Sequence, residues 1–488
     1  MEVTRGRRNA IAIMDERFFG MIITAPDFAF LGLTMLSLLS SLIVSQATPT
    51  PTPTPTPQTI VQPQEMRVLP GGLDSVLVFN SNSPEVVQTE GILLSTFPPT
   101  GKQFPSAHLN QTFSGRFDIF AHHIAKPSTP TDLRTLYLGV IANNPGKEAV
   151  TIDILQAASY LSQPDAPFIP LPAVVENNDG KTFSGPGSRA VGEVLRGLRQ
   201  AIFPAQVVIP PGESRMLLNV PVPVKTLTPP LNGRSTFMRL RSTGAIYLAS
   251  LGMFAKQNPD GTEREPTVEE WQTLLNTANV AEPRDKTPTP IEQTAGDVVY
   301  GRVAGVAVGS QWNGRIVDQN RDSLATPEPG KGFSYGLSTL NRGTLGTNQN
   351  QSAKMIRRYP DTAYQAHGNY AIQYSLTMPL QNTSSQPQTV IVTVETPLKR
   401  EDTQQGLRFL QPPGSQMNFR GTVRLRYNDD RGLPQTQYVH LVQRRGQQGD
   451  PLITLQMKPQ ERRLVQFDFL YPPDATPPQV LTVKTLQP

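Results

Sequence analysis

Among 488 residues there is no cysteine. That absence excludes disulfide staples, thiolate-ligated metals and cysteine nucleophiles together. Histidine is scarce, with five residues, and tryptophan scarcer, with two. Charged residues are 17% and hydrophobic residues 37% of the chain, so it is neither a charge-rich disordered polymer nor a multi-span membrane protein. No H-E-x-x-H helix and no phosphate loop occurs, and no spacing singles out a catalytic residue, a metal-ligand set or a cofactor.

What the chain has in excess is proline (48) and glycine (37), which rules out a helical bundle or a coiled coil. The length allows two or three domains on the prior of about 150 residues each. Arg5, Arg7, Arg8 and Arg17 precede an uncharged apolar run, Phe28 to Val44, followed by Ser45-Gln46-Ala47. Residues 1–47 therefore read as a secretory signal, with an uncleaved membrane anchor as the alternative. Met14 and Met21 offer later starts. Thr48 to Pro57 is a strict Thr-Pro alternation. Proline fixes its own φ and extends its predecessor, so this is a polyproline-II spacer of roughly 30 Å at ~3.1 Å per residue.

Beyond it, short β-prone runs alternate with Pro, Gly and Asn turns. Leu133 to Ile141, Ala149 to Leu155, Gln206 to Ile209, Met216 to Val222, Met238 to Leu240 and Ala245 to Phe254 form one series. Tyr370 to Leu380, Thr389 to Glu395, Phe419 to Tyr427 and Tyr438 to Gln443 form a second. Helical signal is confined to Arg189 to Gln200, inside a long insertion (Ser162 to Pro204), and to Val268 to Val280. The latter carries Thr267 and Glu270 spaced as a capping box. The expectation is a mostly β protein of two β-sandwich-like domains with a few short helices. The parts are a linker at 48–64, a first domain at 65–280, a Pro-rich linker at 281–295 and a second domain at 296–488.

Four stretches, Leu69 to Val87, Gly115 to Ala125, Gln156 to Phe168 and His367 to Leu376, resemble a family of exported cyanobacterial proteins classed as a domain of unknown function. The resemblance implies a Gram-negative envelope location and brings no activity, ligand or catalytic residue with it.

Three histidines, His108, His122 and His123, lie near Asp118 and invite a metal-site reading. On a strand, His122 and His123 point to opposite faces, and Asp118 stands roughly 13 Å from His122 at 3.3 Å per residue. No metal is expected there. Glu176 to Gly180 and Asn258 to Gly261 are acidic, but lack the ladder of a calcium loop and read as turns.

Charge is more informative. Residues 296–488 hold 21 Lys plus Arg against 14 Asp plus Glu, whereas residues 1–295 hold 23 against 25. Within the basic half, alternation puts Phe419, Val423, Leu425 and Tyr427 on one face of a strand. Arg420, Thr422, Arg424 and Arg426 lie on the other. With Arg444 and Arg445 these arginines would attract an anionic glycan, lipid headgroups or an acidic envelope protein. Nucleic acid is not expected of an exported chain. Trp312, between Gly309 and Gly314, reads as a loop residue able to stack on a sugar ring. Location is expected to be the periplasm or cell surface, and the role non-enzymatic binding or structure. A carbohydrate-active enzyme or glycan-binding module is the alternative.

Overall fold

A computed structural model describes residues 56–293 and 295–488. The Phe28 to Val44 run and the spacer through Pro55 lie outside the described residues. The protein is mostly β, with 46% strand and 5% helix. Among the described residues there are two α-helices, α1 (Pro186–Leu195) and α2 (Val268–Thr277). No helix among them is long and apolar enough to cross a membrane.

A twelve-stranded sheet is organised by Asn232–Phe254, a single 23-residue strand. Its first part pairs with Phe113–Ala125 and Val150–Leu161, and its second with Leu136–Asn143 and Gly91–Ser95. The register with Phe113–Ala125 breaks between Ser242 and Ile246, where the sequence pattern suggests two separate strands. Gly244 is what lets the chain continue: a Cβ there would stand 2.7 Å from Val150 Cγ2. Phe79, Phe117, Ile119, Met238 and Leu240 fill the core against this sheet.

An eight-stranded sheet carries Gln311–Arg315, Gln373–Gln381, Arg462–Leu470, Met417–Asn428 and Pro434–Arg444 as neighbours in that order. Its apolar face shares one core with a five-stranded sheet containing Gly332–Leu337, Gln388–Glu395 and Gln479–Thr485. Tyr374, Phe419, Phe467, Phe469 and Tyr471 form a continuous aromatic cluster there. The alternation read on Phe419, Val423 and Leu425 is what directs them inward, each at most 1% exposed.

Strand pairing runs across the linker at 281–295. Ala304–Val308 pairs with Leu77–Ser81 in the twelve-stranded sheet, and Val174–Glu176 joins the edge of the eight-stranded one. The expected linker at 48–64 is shorter than the sequence suggested, because Gln58–Gln62 pairs antiparallel with Leu407–Gln411. Gln64–Arg67 then runs parallel to Gly332–Leu337. Pro63 supplies only its carbonyl, to Gly332 N, and sits between the two pairings where a missing N–H does no harm.

Both helices are packing elements. In α2, Thr267 Oγ1 accepts from Glu270 N and Glu270 Oε2 accepts from Thr267 N, so the capping box closes as its spacing predicts. The helix ends at Thr277, short of Val280, and buries Trp271 against Gly139, whose Cβ would stand 2.9 Å from the indole. Helix α1 is a wedge. Ala190, Val191, Val194 and Leu195 pack between Phe120, Ala158 and Phe237 of the twelve-stranded sheet and Leu470 of the eight-stranded one.

Candidate functional site

The polar side of the eight-stranded sheet follows from the same alternation. Cross-strand register aligns Asn313, Ser375, Asp468, Arg424 and Tyr438 in one row. Arg315, Thr377, Gln466, Arg426 and Thr436 form the next row. These rows floor a cleft of about 500 Å³. The row on the other side, with Gln373, Leu470, Thr422 and His440, is buried under α1 and the insertion. Asn177 holds that cover down, its Nδ2 donating to Thr422 Oγ1 at 3.1 Å, and Arg196 stacks 3.9 Å from the Tyr438 ring centre.

Charge in the cleft is organised around Asp468. Arg424 Nε and Arg426 Nη2 both donate to Asp468 Oδ2, at 3.2 and 3.0 Å. A second Asp–Arg cluster lies next to it in the twelve-stranded sheet. There Asp118 Oδ1 accepts from Arg116 Nη1, and Asp118 Oδ2 stands 4.0 Å from Arg239 Nε. Burial pushes the Asp118 carboxyl up, against the pull of the two guanidiniums, and pushes Arg239 down. Arg239 Nη2 then donates to Gln373 Oε1 at 2.8 Å, and Gln373 Nε2 to Ser375 Oγ at 2.7 Å. That chain of bonds runs from the Asp118 cluster to Ser375, the cross-strand neighbour of Asp468. Four arginines face two aspartates, and Arg315 adds a further positive charge on the cleft. Guanidinium forks in this setting suit a carboxylate, sulfate or phosphate.

The arginines read from sequence do not form one patch. Arg424 and Arg426 share the cleft, but as partners of Asp468 rather than as a bare basic surface. Arg420 lies instead in a separate cavity at the seam between the sheets, 5.1 Å from the Phe168 ring centre. Arg444 and Arg445 are exposed at the far end of Pro434–Arg444. Sequence reasoning missed Asp468, Arg239 and Arg315, and weighed Asp118 only as a companion of the histidines. The one signal available for Asp468 was its place on the polar side of an alternating strand, R-x-V-x-F-x-F.

Trp312 is not a loop residue. It lies in Gln311–Arg315, 6% exposed, stacked on Tyr374 at 6.2 Å with its Nε1 donating to Pro70 O. It offers no surface to a sugar.

The histidines are dispersed among hydroxyl and carbonyl partners. His108 Nδ1 meets Ser95 Oγ, His122 Nδ1 meets Ser235 Oγ, His123 Nε2 meets Ser81 Oγ, and His440 Nδ1 meets Thr422 Oγ1. His367 Nε2 donates to Gly301 O. Burial lowers His122 to about 3 and the other four to about 4. Among the described residues no group of three His, Asp or Glu side chains is arranged for a metal ion. The acidic stretches are turns, with Gly180 at φ 78° and Gly261 at φ 82°.

Gly332-Phe333-Ser334-Tyr335-Gly336, which sequence reasoning passed over, does have the G-x-S-x-G spacing of a nucleophile elbow. Its geometry is different. Ser334 is mid-strand and fully buried, with its Oγ 2.8 Å from Thr482 Oγ1. An elbow requires a strand-to-helix turn that exposes the hydroxyl.

No curated protein matches the chain. A family model covers residues 64–485, spanning every strand that lines the cleft. By that match the chain belongs to the family described as "Protein of unknown function (DUF3370)".

Proposed function

We propose that this is a non-enzymatic protein of a cell envelope, carried out of the cytosol by residues 1–47 and held off by the Thr-Pro spacer. In this reading it is two sandwich-like units, the second of which carries a polar cleft that binds an anionic envelope component. The observation that carries the proposal is the cleft floor, where Arg424 and Arg426 flank Asp468 and Arg315 projects beside them. Three guanidiniums against one carboxylate leave a net positive surface that is flat, polar and partly walled. Such a surface recognises extended acidic chains. The role is binding rather than hydrolysis, because Asp468 is the one carboxylate lining this cleft and hydrolysis of a glycosidic bond uses two.

Retention of the full chain on an immobilised acidic polysaccharide at low salt tests this. The double variant Arg424→Ala, Arg426→Ala should elute at distinctly lower salt than wild type, and co-elution ends the proposal. Sequencing the N-terminus of material from fractionated cells tests the address: Thr48 as first residue supports release, and an intact apolar run supports anchoring.

A further inference from the structure

A second cavity, of about 280 Å³, lies at the seam between the sheets. It is assembled from residues distant in sequence: Glu85, His122 on Phe113–Ala125, Phe168 on the insertion, Arg302, Tyr370, and Asp474. Its size is near the lower end of the ~300–1,000 Å³ typical of ligand pockets, and fits one ring rather than a chain.

The walls are fixed. Tyr370 Oη donates to Ala475 O at 3.1 Å, with its ring between Phe120 and Tyr471. Asp474 Oδ2 accepts from Ser188 N at 2.8 Å, where α1 begins. A Cβ at Gly187 would stand 2.2 Å from Pro473 Cγ, so only glycine permits that approach. Burial raises Asp474 to about 6.

The chemistry of the ligand is set by one pair. His122 Nδ1 is engaged by Ser235 Oγ at 2.8 Å, which leaves Nε2 facing Glu85 Oε1 at 4.0 Å. The other carboxylate oxygen of Glu85 pairs with Arg302. Four ångströms is too long for a hydrogen bond, yet one oxygen about 2.8 Å from both atoms bridges them. With Nε2 protonated, that oxygen must accept from the imidazole and donate to the carboxylate. A hydroxyl does both; the oxygens of a carboxylate or sulfate at neutral pH only accept. The charges around the cavity also balance, with Arg302 and Arg420 against Glu85 and Asp474, and Phe168 supplies an apolar ring.

We propose that this seam cavity binds one neutral, hexose-sized sugar ring, with a ring hydroxyl bridging His122 Nε2 and Glu85. The site is independent of the anionic cleft and requires both sheets to be in place.

The test uses the full chain with its histidines isotopically labelled for NMR. Methyl glucoside, methyl galactoside and N-acetylglucosamine are titrated in parallel with glucuronate and inorganic phosphate. At least one neutral sugar should move the His122 ring resonance saturably, with a dissociation constant on the order of 1–10 mM, and leave His108 and His440 unmoved. Glu85→Gln and Phe168→Ala should each weaken binding by about 10-fold or more, while Arg424→Ala with Arg426→Ala leaves it unchanged. If Glu85→Gln fails to fold, Phe168→Ala decides alone. Failure of all three neutral sugars to move His122 overturns the proposal, as does a response to glucuronate or phosphate only. Unchanged affinity in a folded seam variant also overturns it.

Discussion

Two Asp–Arg clusters lie beside one another in this protein, and they differ in how much water reaches them. Asp118 and Asp468 each sit mid-strand, 1% and 3% exposed, opposite an arginine in register: Arg239 for the first and Arg424 for the second. Around Asp118 the Arg239 side chain is 14% exposed and Arg116 28%. Around Asp468 Arg424 is 22% exposed and Arg426, the most open of the four, 41%. The same residue pattern therefore gives a structural pin in one sheet and a more solvent-facing ion cluster in the other. Access rather than composition separates the two roles.

The largest effect expected is at the enclosed cluster. Asp118→Ala should cost about 3–5 kcal/mol in urea unfolding, because Arg239 is left enclosed without its counter-charge. Asp468→Ala should cost roughly 1–2 kcal/mol, since Arg424 and Arg426 can turn to solvent, and should strengthen retention on an acidic polysaccharide. Equal losses from the two substitutions would erase the distinction. Next is the link: Gln373→Ala removes both the bond from Arg239 and the bond to Ser375 and should cost about 1 kcal/mol. A double-mutant cycle with Arg239→Gln should show that this loss is shared rather than additive.

Protonation sharpens the comparison differently. The five histidines have folded pKa values depressed below the ordinary 6.5. Their contribution to stability is whole above that value and is lost as pH falls toward 4, while the unfolded chain takes up protons that the folded one refuses. Asp118 has the opposite sign: its raised pKa means acid relieves the cost of burying its charge. The urea midpoint should therefore fall below pH 6.5 in wild type, and fall more steeply in Asp118→Asn, which lacks that relief. The smallest effect is a null one. Between pH 8 and 5 the histidine ring resonances should stay flat, and a midpoint near 6 in any of them contradicts its burial.

Local order was legible in the sequence. Gln206–Ile209 is a strand at the bounds its β-branched run suggests, the capping box of α2 closes as spaced, and the alternation of Phe419 to Tyr427 assigns each side chain to its face. These depend on neighbours a few residues apart. What escaped depends on partners hundreds of residues away. Asn177 reaches Thr422, Gln64 reaches Glu395, and Asp474 caps α1. Trp312 was misread because its flanking glycines suggest a loop. Their actual purpose is close approach: a Cβ at Gly314 would stand 2.5 Å from Pro70 O. Arg420, Arg424 and Arg426 were read correctly as one strand face, but the sequence gives no sign that α1 and the insertion divide that face in two.

The way the polypeptide enters the body at Gln58–Gln62 has a mechanical meaning. A pull transmitted along the Thr-Pro segment is borne first by the ladder between Gln58–Gln62 and Leu407–Gln411. The parallel strands Gln64–Arg67 and Gly332–Leu337 come next, with Gln64 Nε2 locked to Glu395 Oε2 at 2.8 Å. Load arriving from the leading end of the polypeptide is thus delivered to the trailing half of the molecule, and the strands that frame the cleft stand behind that clasp rather than in line with it.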